Sequence, residues 1–435
     1  MQRDDTVDGF PSRRECLRYG GAAVVGGLFA GCAGGGSSTT ATDTAAKTPE
    51  SDTDPHTASG TGTEVGESGK TAGDDASYTV TMEPTGTMAF TEPPETITVY
   101  ITGYADIVAA LGQFDRVRAM NGPENHFPFD YYDRLPGVDI SVDDVTDFFP
   151  EGSNSADKEV FYEVDPDLNL IDPTVAKHYL GLDDTDVDEI SENVAPFFGS
   201  WMRRPQFSDE YPYYTLYEGT ERIARVFQQE SRFRALKAVH DELQSEIRSR
   251  IPEPDDRPTF GYMNVNWWGS FDTAYVMRAN APGYQNKVFR DLQFDTSNNA
   301  FADLIPDSDW STQVDFEGLL EANPEIILWQ NGYNFLTGVD FGGERLDWET
   351  GIVARLRDDP VAGEVTAVQE GRVLPGTATG SGPVTNLFNM EAVAKQLYPD
   401  EFGEYDPSRF PKEQTSEPLF DRRRVADIVI DAGDA

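Results

Sequence analysis

Three short stretches of this 435-residue chain combine side chains suited to gripping an anion or a flat ligand. Phe198-Gly-Ser-Trp201-Met-Arg203-Arg204 sets an indole beside two guanidinium groups, whose planar forks of donors match a carboxylate or an anionic chelate. Asn264-Val-Asn-Trp267-Trp268-Gly supplies flat aromatic surface, and Trp329-Gln-Asn331-Gly-Tyr333 supplies hydrogen-bonding tips. Tyr104, just after an apolar run, is a further candidate. Each has a structural alternative: Trp267 and Trp268 alternate in facing, so one of them suits a core, and Arg203 and Arg204 have many acids to pair with.

Carboxylates are abundant, yet no Gly-x-Ser-x-Gly elbow, Gly-rich phosphate loop or His-Glu-x-x-His helix accompanies them. Catalytic residues are therefore not expected, and a secreted carboxylate-using hydrolase stands only as the rival from another class, beside a surface sensor. Of the four histidines, His126, His178 and His240 follow the polar N-terminal tract, too few for a His-rich transition-metal site. No metal and no cofactor are expected.

A pattern recurs at an offset of 158 residues: Glu159-Val-Phe-Tyr-Glu163-Val-Asp-Pro166-Asp167-Leu168 and Glu317-Gly-Leu-Leu-Glu321-Ala-Asn-Pro324-Glu325-Ile326. Two halves built alike are implied, each showing an acidic corner. Molecules of that kind close on a ligand.

The elements that must position these residues alternate. Ile97–Ile101 reads as a strand, Ala105–Leu111 as a helix closed by Gly112, and Val117–Met120 and Leu168–Ile171 as further strands. Thr259–Met263 and Ile326–Trp329 repeat the plan. The expected fold is α/β: two lobes with mainly parallel sheets, joined by one long α-helix, with the ligand cleft between lobes at the carboxyl ends of the strands. The joining helix spans 231–251, where Phe233, Leu236, Val239, Leu243, Ile247 and Ile251 recur at three- and four-residue spacing and Pro252 ends the run. The lobes take 95–230 and 252–435.

Residues 1–32 read as an export signal. Arg13-Arg14 precedes the short apolar run Gly20–Gly31, which suggests the twin-arginine route, and Leu28-Phe-Ala-Gly-Cys32 suggests a lipoprotein box with Cys32 lipidated. Residues 33–94 are rich in Thr, Ser, Gly and acids and are expected to be a disordered tether. The mature body then has no thiol and sits, lipid-anchored, at the extracellular face of the membrane. The balance of 34 basic against 77 acidic residues, a net charge of −43, suits a halophile, because molar salt shrinks the screening length to ~3 Å. It argues against a nucleic-acid partner.

In this order, signal, lipobox, tether, lobe, long helix and lobe, the chain from about Glu95 to Asp431 resembles the helix-linked (class III) substrate-binding lipoproteins of ABC importers for ferric siderophores, haem and cobalamin. The resemblance is carried by Tyr104-Ala-Asp-Ile-Val-Ala-Ala-Leu111-Gly112, Asp165-Pro166-Asp167-Leu168, Asn323-Pro324-Glu325-Ile326-Ile327, Val368-Gln-Glu-Gly371-Arg372-Val373 and Leu419-Phe420-Asp421-Arg-Arg-Arg-Val425-Ala426. It implies a monomer that captures a ferric siderophore and delivers it to an ABC permease and its ATPase, with haem or cobalamin as the alternative cargo. In that family a glutamate on each lobe, seven residues before the Pro of the Pro-acid pair, meets permease arginines. Glu159 and Glu317 hold those places here.

Overall fold

The computed structural model describes residues 77–430 apart from 150–154, 209, 266–270, 295–297, 308, 337–338, 342–343, 379 and 410–413. Residues 1–32, expected to be an export signal ending at Cys32, the part of the expected tether up to residue 76, Trp267 and Trp268 lie outside the described residues.

The tether expected over 33–94 is too long at its end. Tyr78–Met82 (β1) and Gly86–Phe90 (β2) pair antiparallel, and Val80, Met82 and Phe90 are buried. Alternation of Tyr78, Val80 and Met82 with threonines presents one apolar face, which is enough for a hairpin that can lie on a lobe. Tyr78 stacks on Phe90, and Phe90 meets Phe198 edge-on.

The first lobe is a four-stranded parallel sheet. Its strands are Ile97–Val99 (β3), Val117–Met120 (β4), Thr146–Asp147 (β5) and Leu168–Leu170 (β6), in the order β5-β4-β3-β6. The buried helix Thr102–Ala110 (α1) follows β3, and Gly112 at φ +64 ends it as the sequence suggests. The six-residue helix Glu159–Val164 (α2) feeds β6. Leu216–Val226 (α3) then leads into the long helix Glu230–Arg250 (α4), 21 residues or ~30 Å. Phe233, Leu236, Val239, Leu243 and Ile247 are its buried stripe.

The second lobe is a mixed five-stranded sheet. Phe260–Val265 (β7), Ile326–Gln330 (β10) and Val373–Thr377 (β13) run parallel, while Thr273–Met277 (β8) and Ser311–Asp315 (β9) are added antiparallel, in the order β13-β10-β7-β8-β9. Val339–Phe341 (β11) and Glu344–Leu346 (β12) form a separate two-stranded ribbon. Among the helices are Lys287–Asp291 (α5), Phe316–Ala322 (α6), Pro383–Leu397 (α7) and Arg422–Ile430 (α8).

Every residue of α7 is buried, because it packs on α1 of the first lobe, on α4, on α5 and on β13 together. One hydrophobic cluster accordingly runs from the first lobe into the inner half of the second, and a separate cluster fills the outer half. The carboxylate of Asp106 in α1, itself fully buried, accepts from Gly382 N (2.9 Å), Val384 N (3.3 Å) and Thr385 N (3.0 Å) at the start of α7, and from the Tyr132 hydroxyl (2.8 Å). An anion facing the unsatisfied N–H groups of a helix start is the favourable polarity.

Candidate functional site

The repeated motif does two separate jobs. In each lobe the helix ends on a left-handed residue, Asp165 (φ 42) or Asn323 (φ 41), before its proline. The acid after the proline then fastens two neighbouring parallel strands at their start. Asp167 Oδ2 accepts from Glu95 N (2.8 Å) and Thr96 N (2.9 Å), and Glu325 Oε2 accepts from Thr259 N (2.8 Å) and the Thr259 hydroxyl (3.0 Å). The Pro-acid pair is thus structural.

Glu159 and Glu317 are different: both are exposed, in the first turns of α2 and α6. Just before α2, Asp157 N bonds to Phe148 O (3.2 Å), the residue directly after β5. Helix α6 starts directly from β9, which runs in the same direction as β7. Both glutamates therefore stand on the side of their lobe where the parallel strands end.

At that same side the 199–204 segment crosses from one lobe to the other. Gly199 lies so close to Ile171 and Asp172 that a Cβ would come within 2.6 Å of their backbone. The Thr85 hydroxyl, from the turn after β1, is 3.4 Å from Gly199 N and 3.3 Å from Gly199 O. Ser200 is gripped by one phenol, since the Tyr104 hydroxyl accepts from Ser200 N (2.8 Å) and donates to Ser200 O (2.7 Å). Trp201 N donates to the Tyr211 hydroxyl (2.5 Å), which in turn donates to the Asp172 carboxylate. Burial pushes the Asp172 carboxyl up, opposed by its hydrogen bond from Tyr211.

The next two carbonyls belong to the second lobe: Met202 O accepts from Tyr284 N (2.8 Å), and Arg203 O from Gln285 N (3.1 Å). Gly283, at φ +95, makes this approach possible, for a Cβ there would sit 2.3 Å from Arg203 O. The lobes touch backbone to backbone.

Around this seam the side chains sort themselves. Trp201 is buried, its indole N–H donating to Arg204 O (2.7 Å), and it stacks on Tyr179 (5.3 Å), which stacks on Tyr100 (5.9 Å). Phe207 and Tyr211 extend the cluster, and the His178 ring stands edge-on to Phe207. Arg204 reaches across to the second lobe, its guanidinium 4.8 Å from the Trp310 ring centroid and its Nε bonded to Gln206 (3.0 Å). Arg203 Nε donates to Gln285 Oε1 (3.2 Å). Tyr104 is a clamp for Ser200 in this structure. Tyr333 is buried at another interlobe contact, 6.4 Å edge-on to Tyr131 of the first lobe, with its hydroxyl accepting from Gln396 (3.1 Å).

Trp329 needs correcting: it lies in the outer core of the second lobe, edge-on to Trp348, because β10 is buried on both faces. Asn331, at φ 60, is buried in the turn that follows β10.

The ligand loops read from the sequence include Asn264 and Gln330, but the polar ends of the second lobe's parallel strands are not singled out there. Asn264 Nδ2 donates to Gln330 Oε1 (2.7 Å), and Tyr262 and Thr377 share a hydroxyl contact of 3.1 Å. Burial pushes the Tyr262 phenol up, countered by hydrogen bonds with Thr377 and Gln330 and by the nearby charge of Arg203. Asn264, Gln285 and Gln330 are each no more than 2% exposed. The signal for this set was a polar residue at or next to the end of each strand, Asn264 in β7, Gln330 in β10 and Thr377 in β13.

Among the described residues no group of three or more His, Cys, Asp or Glu is placed to hold a metal ion, and no helix is long and apolar enough to cross a membrane. His126 bonds with Asn121 (2.8 Å), and His240 with Asp291 (3.2 Å).

A model of the family described as periplasmic binding protein matches residues 97–379, well over half of the chain. Among curated proteins none matches. Among solved structures, the chain is similar to the triscatecholate siderophore binding protein FeuA from Bacillus subtilis complexed with ferri-bacillibactin: TM-score 0.51, 15% identity, over 74% of this chain and 98% of that one. The iron uptake ABC transporter substrate-binding protein PiuA from Streptococcus pneumoniae gives 0.50 and 19%, over 73% and 98%. The haem binding protein HmuT gives 0.50 and 15%, over 75% and 88%. At such identities the likeness is one of fold.

Proposed function

This chain belongs to the periplasmic binding protein family, and we propose that it is the extracytoplasmic solute-binding component of an ABC importer that captures a ferric siderophore between its lobes. The observation that carries this reading is the seam where Met202 and Arg203 meet Tyr284 and Gln285 beside stacked Trp201, at the carboxyl ends of the parallel strands of both lobes. Open α/β sheets bind ligands there. A ligand seated between the lobes replaces direct lobe contacts with its own, so capture and closure are one equilibrium.

Glu159 and Glu317 are read as docking points for arginines of the permease, because each is exposed on the strand-end side of its own lobe. Similar corners on both lobes fit a two-fold symmetric partner. Export by the twin-arginine route, lipid on Cys32, a monomeric state and work in concentrated salt complete the reading, supported by Arg13-Arg14, the box ending at Cys32, the family resemblance and the acidic composition.

Titration of intrinsic tryptophan fluorescence in molar salt tests it, with ferric siderophores, haem and cobalamin as ligands. Saturable quenching by a ferric siderophore supports the proposal. Saturation by haem or cobalamin alone replaces the cargo, and no response to any of the three sinks it.

A further inference from the structure

The polar seam also bears on the charge of the cargo, a step that rests on capture of an iron chelate between the lobes. Two hydrogen-bonded pairs lie there, Asn264 with Gln330 and Arg203 with Gln285, and Tyr262 adjoins both through its hydrogen bond with Gln330 and the nearby charge of Arg203. Asn264 Oδ1 and Gln285 Nε2 are buried and find no hydrogen-bond partner among the described residues. A buried polar atom left unpaired is costly, so an occupant offering an N–H to the first and an oxygen to the second is favoured.

Positive charge is scarce at this place. Arg203 is bonded to Gln285, and Arg204 is already committed to Trp310 and Gln206. Other cations of the second lobe are engaged elsewhere: Lys287 with Asp291, Arg290 with the Ala281 and Gly283 carbonyls, and Arg278 with Ile305 O and Asp309 O. Lys412 lies in an internal stretch outside the described residues, and the Arg345 side chain is not described either. Among the described residues, a trianionic chelate would have to leave water against Arg203 and Arg204, inside a molecule of net charge −43. Desolvating each unmatched charge is strongly unfavourable. An uncharged chelate carrying amide and hydroxamate groups escapes that cost and supplies both N–H donors and oxygen acceptors.

We infer that the seam formed by Asn264, Gln285, Gln330 and Arg203 selects an uncharged ferric trihydroxamate over an anionic tris-catecholate. The full chain is titrated in molar salt by isothermal calorimetry with ferrichrome, with ferric enterobactin, a trianionic tris-catecholate, and with haem. Ferrichrome is expected to bind at least tenfold tighter than either of the others. Asn264→Ala and Gln285→Ala should each weaken ferrichrome about tenfold while melting within a few degrees of the parent protein.

Equal or tighter binding of the tris-catecholate or of haem overturns this inference and leaves capture of an iron compound standing. Binding of none of the three overturns both. Should ferrichrome bind but neither alanine variant weaken it, the seam is not the selecting surface.

Discussion

Replacing Asp106 by Ala should uncouple α1 from α7 and lower stability by ~3–5 kcal/mol, because it leaves several buried donors without their shared acceptor. The magnitude comes from the carboxylate's bonds. It accepts from three backbone N–H groups at the start of α7 and from the Tyr132 hydroxyl. Each hydrogen bond to a charged group is worth ~1.5–3 kcal/mol when its partner is left buried, and the favourable interaction of an anion with the helix start adds ~0.3–1 kcal/mol. Simple addition would exceed the observed range for such networks, since the four share one acceptor and relax together. The opposing effect is desolvation, which pushes the Asp106 carboxyl up despite its hydrogen bonds with Thr385, Tyr132 and Val384. Asp106→Asn keeps one acceptor oxygen and avoids the buried charge, so its loss should be smaller, ~1–2 kcal/mol. Urea unfolding in molar salt, followed by circular dichroism, measures both. An Ala variant within ~1 kcal/mol of the parent would refute the anchoring argument, because unpaired buried N–H groups alone should exceed that.

Four further outcomes are expected. Asp291→Asn strands the buried Lys287 ammonium beside His240, between α5 and the long helix, and should lower stability by ~3–5 kcal/mol in the same unfolding assay. Phe90→Ala should lower it by ~3 kcal/mol; a change below ~1 kcal/mol would mean that the β1–β2 hairpin belongs to the tether after all. Glu218 closes the capping box of α3, and its backbone and side-chain hydrogen bonds with Thr215 hold its carboxyl below the usual range. Its contribution, ~0.5 kcal/mol, is present above the unfolded value near 4.3 and lost as pH falls through the folded one, so Glu218→Gln should flatten the pH 6 to 3 stability profile slightly. Reversing both Glu159 and Glu317 to Lys should abolish uptake of labelled chelate by cells while leaving its affinity in solution intact; persistent uptake removes the docking assignment.

Much of the framework was legible because local signals and burial agree. Ile97–Val99, Val117–Met120, Leu168–Leu170 and Ile326–Gln330 are aliphatic runs that end where polar or turn residues begin, and Phe233 to Ile247 keeps helical spacing for the whole joining helix. The hairpin at 78–90 escaped notice because its alternation is written with threonines beside a Thr-rich tract. Helix α7 escaped because Asn386, Asn389, Glu391, Lys395 and Gln396 interrupt any apolar stripe; their polarity is met inside, as where Lys395 meets Glu391 and Glu417 O. At the site, residue type alone misplaced Trp329, since in a strand buried on both faces an indole points into core whichever way it faces. Tyr100, Tyr179, Phe207 and Trp310 join Trp201 and Arg204 only through tertiary contacts, and no local spacing announces them.

Amide hydrogen exchange of the whole protein, with and without ferrichrome, probes lobe-to-lobe capture most directly. The account predicts that added chelate slows exchange both in 199–204 of the first lobe and in 283–286 of the second, together and at the same ligand concentration. Saturating ligand that protects one lobe alone, or neither segment, would contradict it.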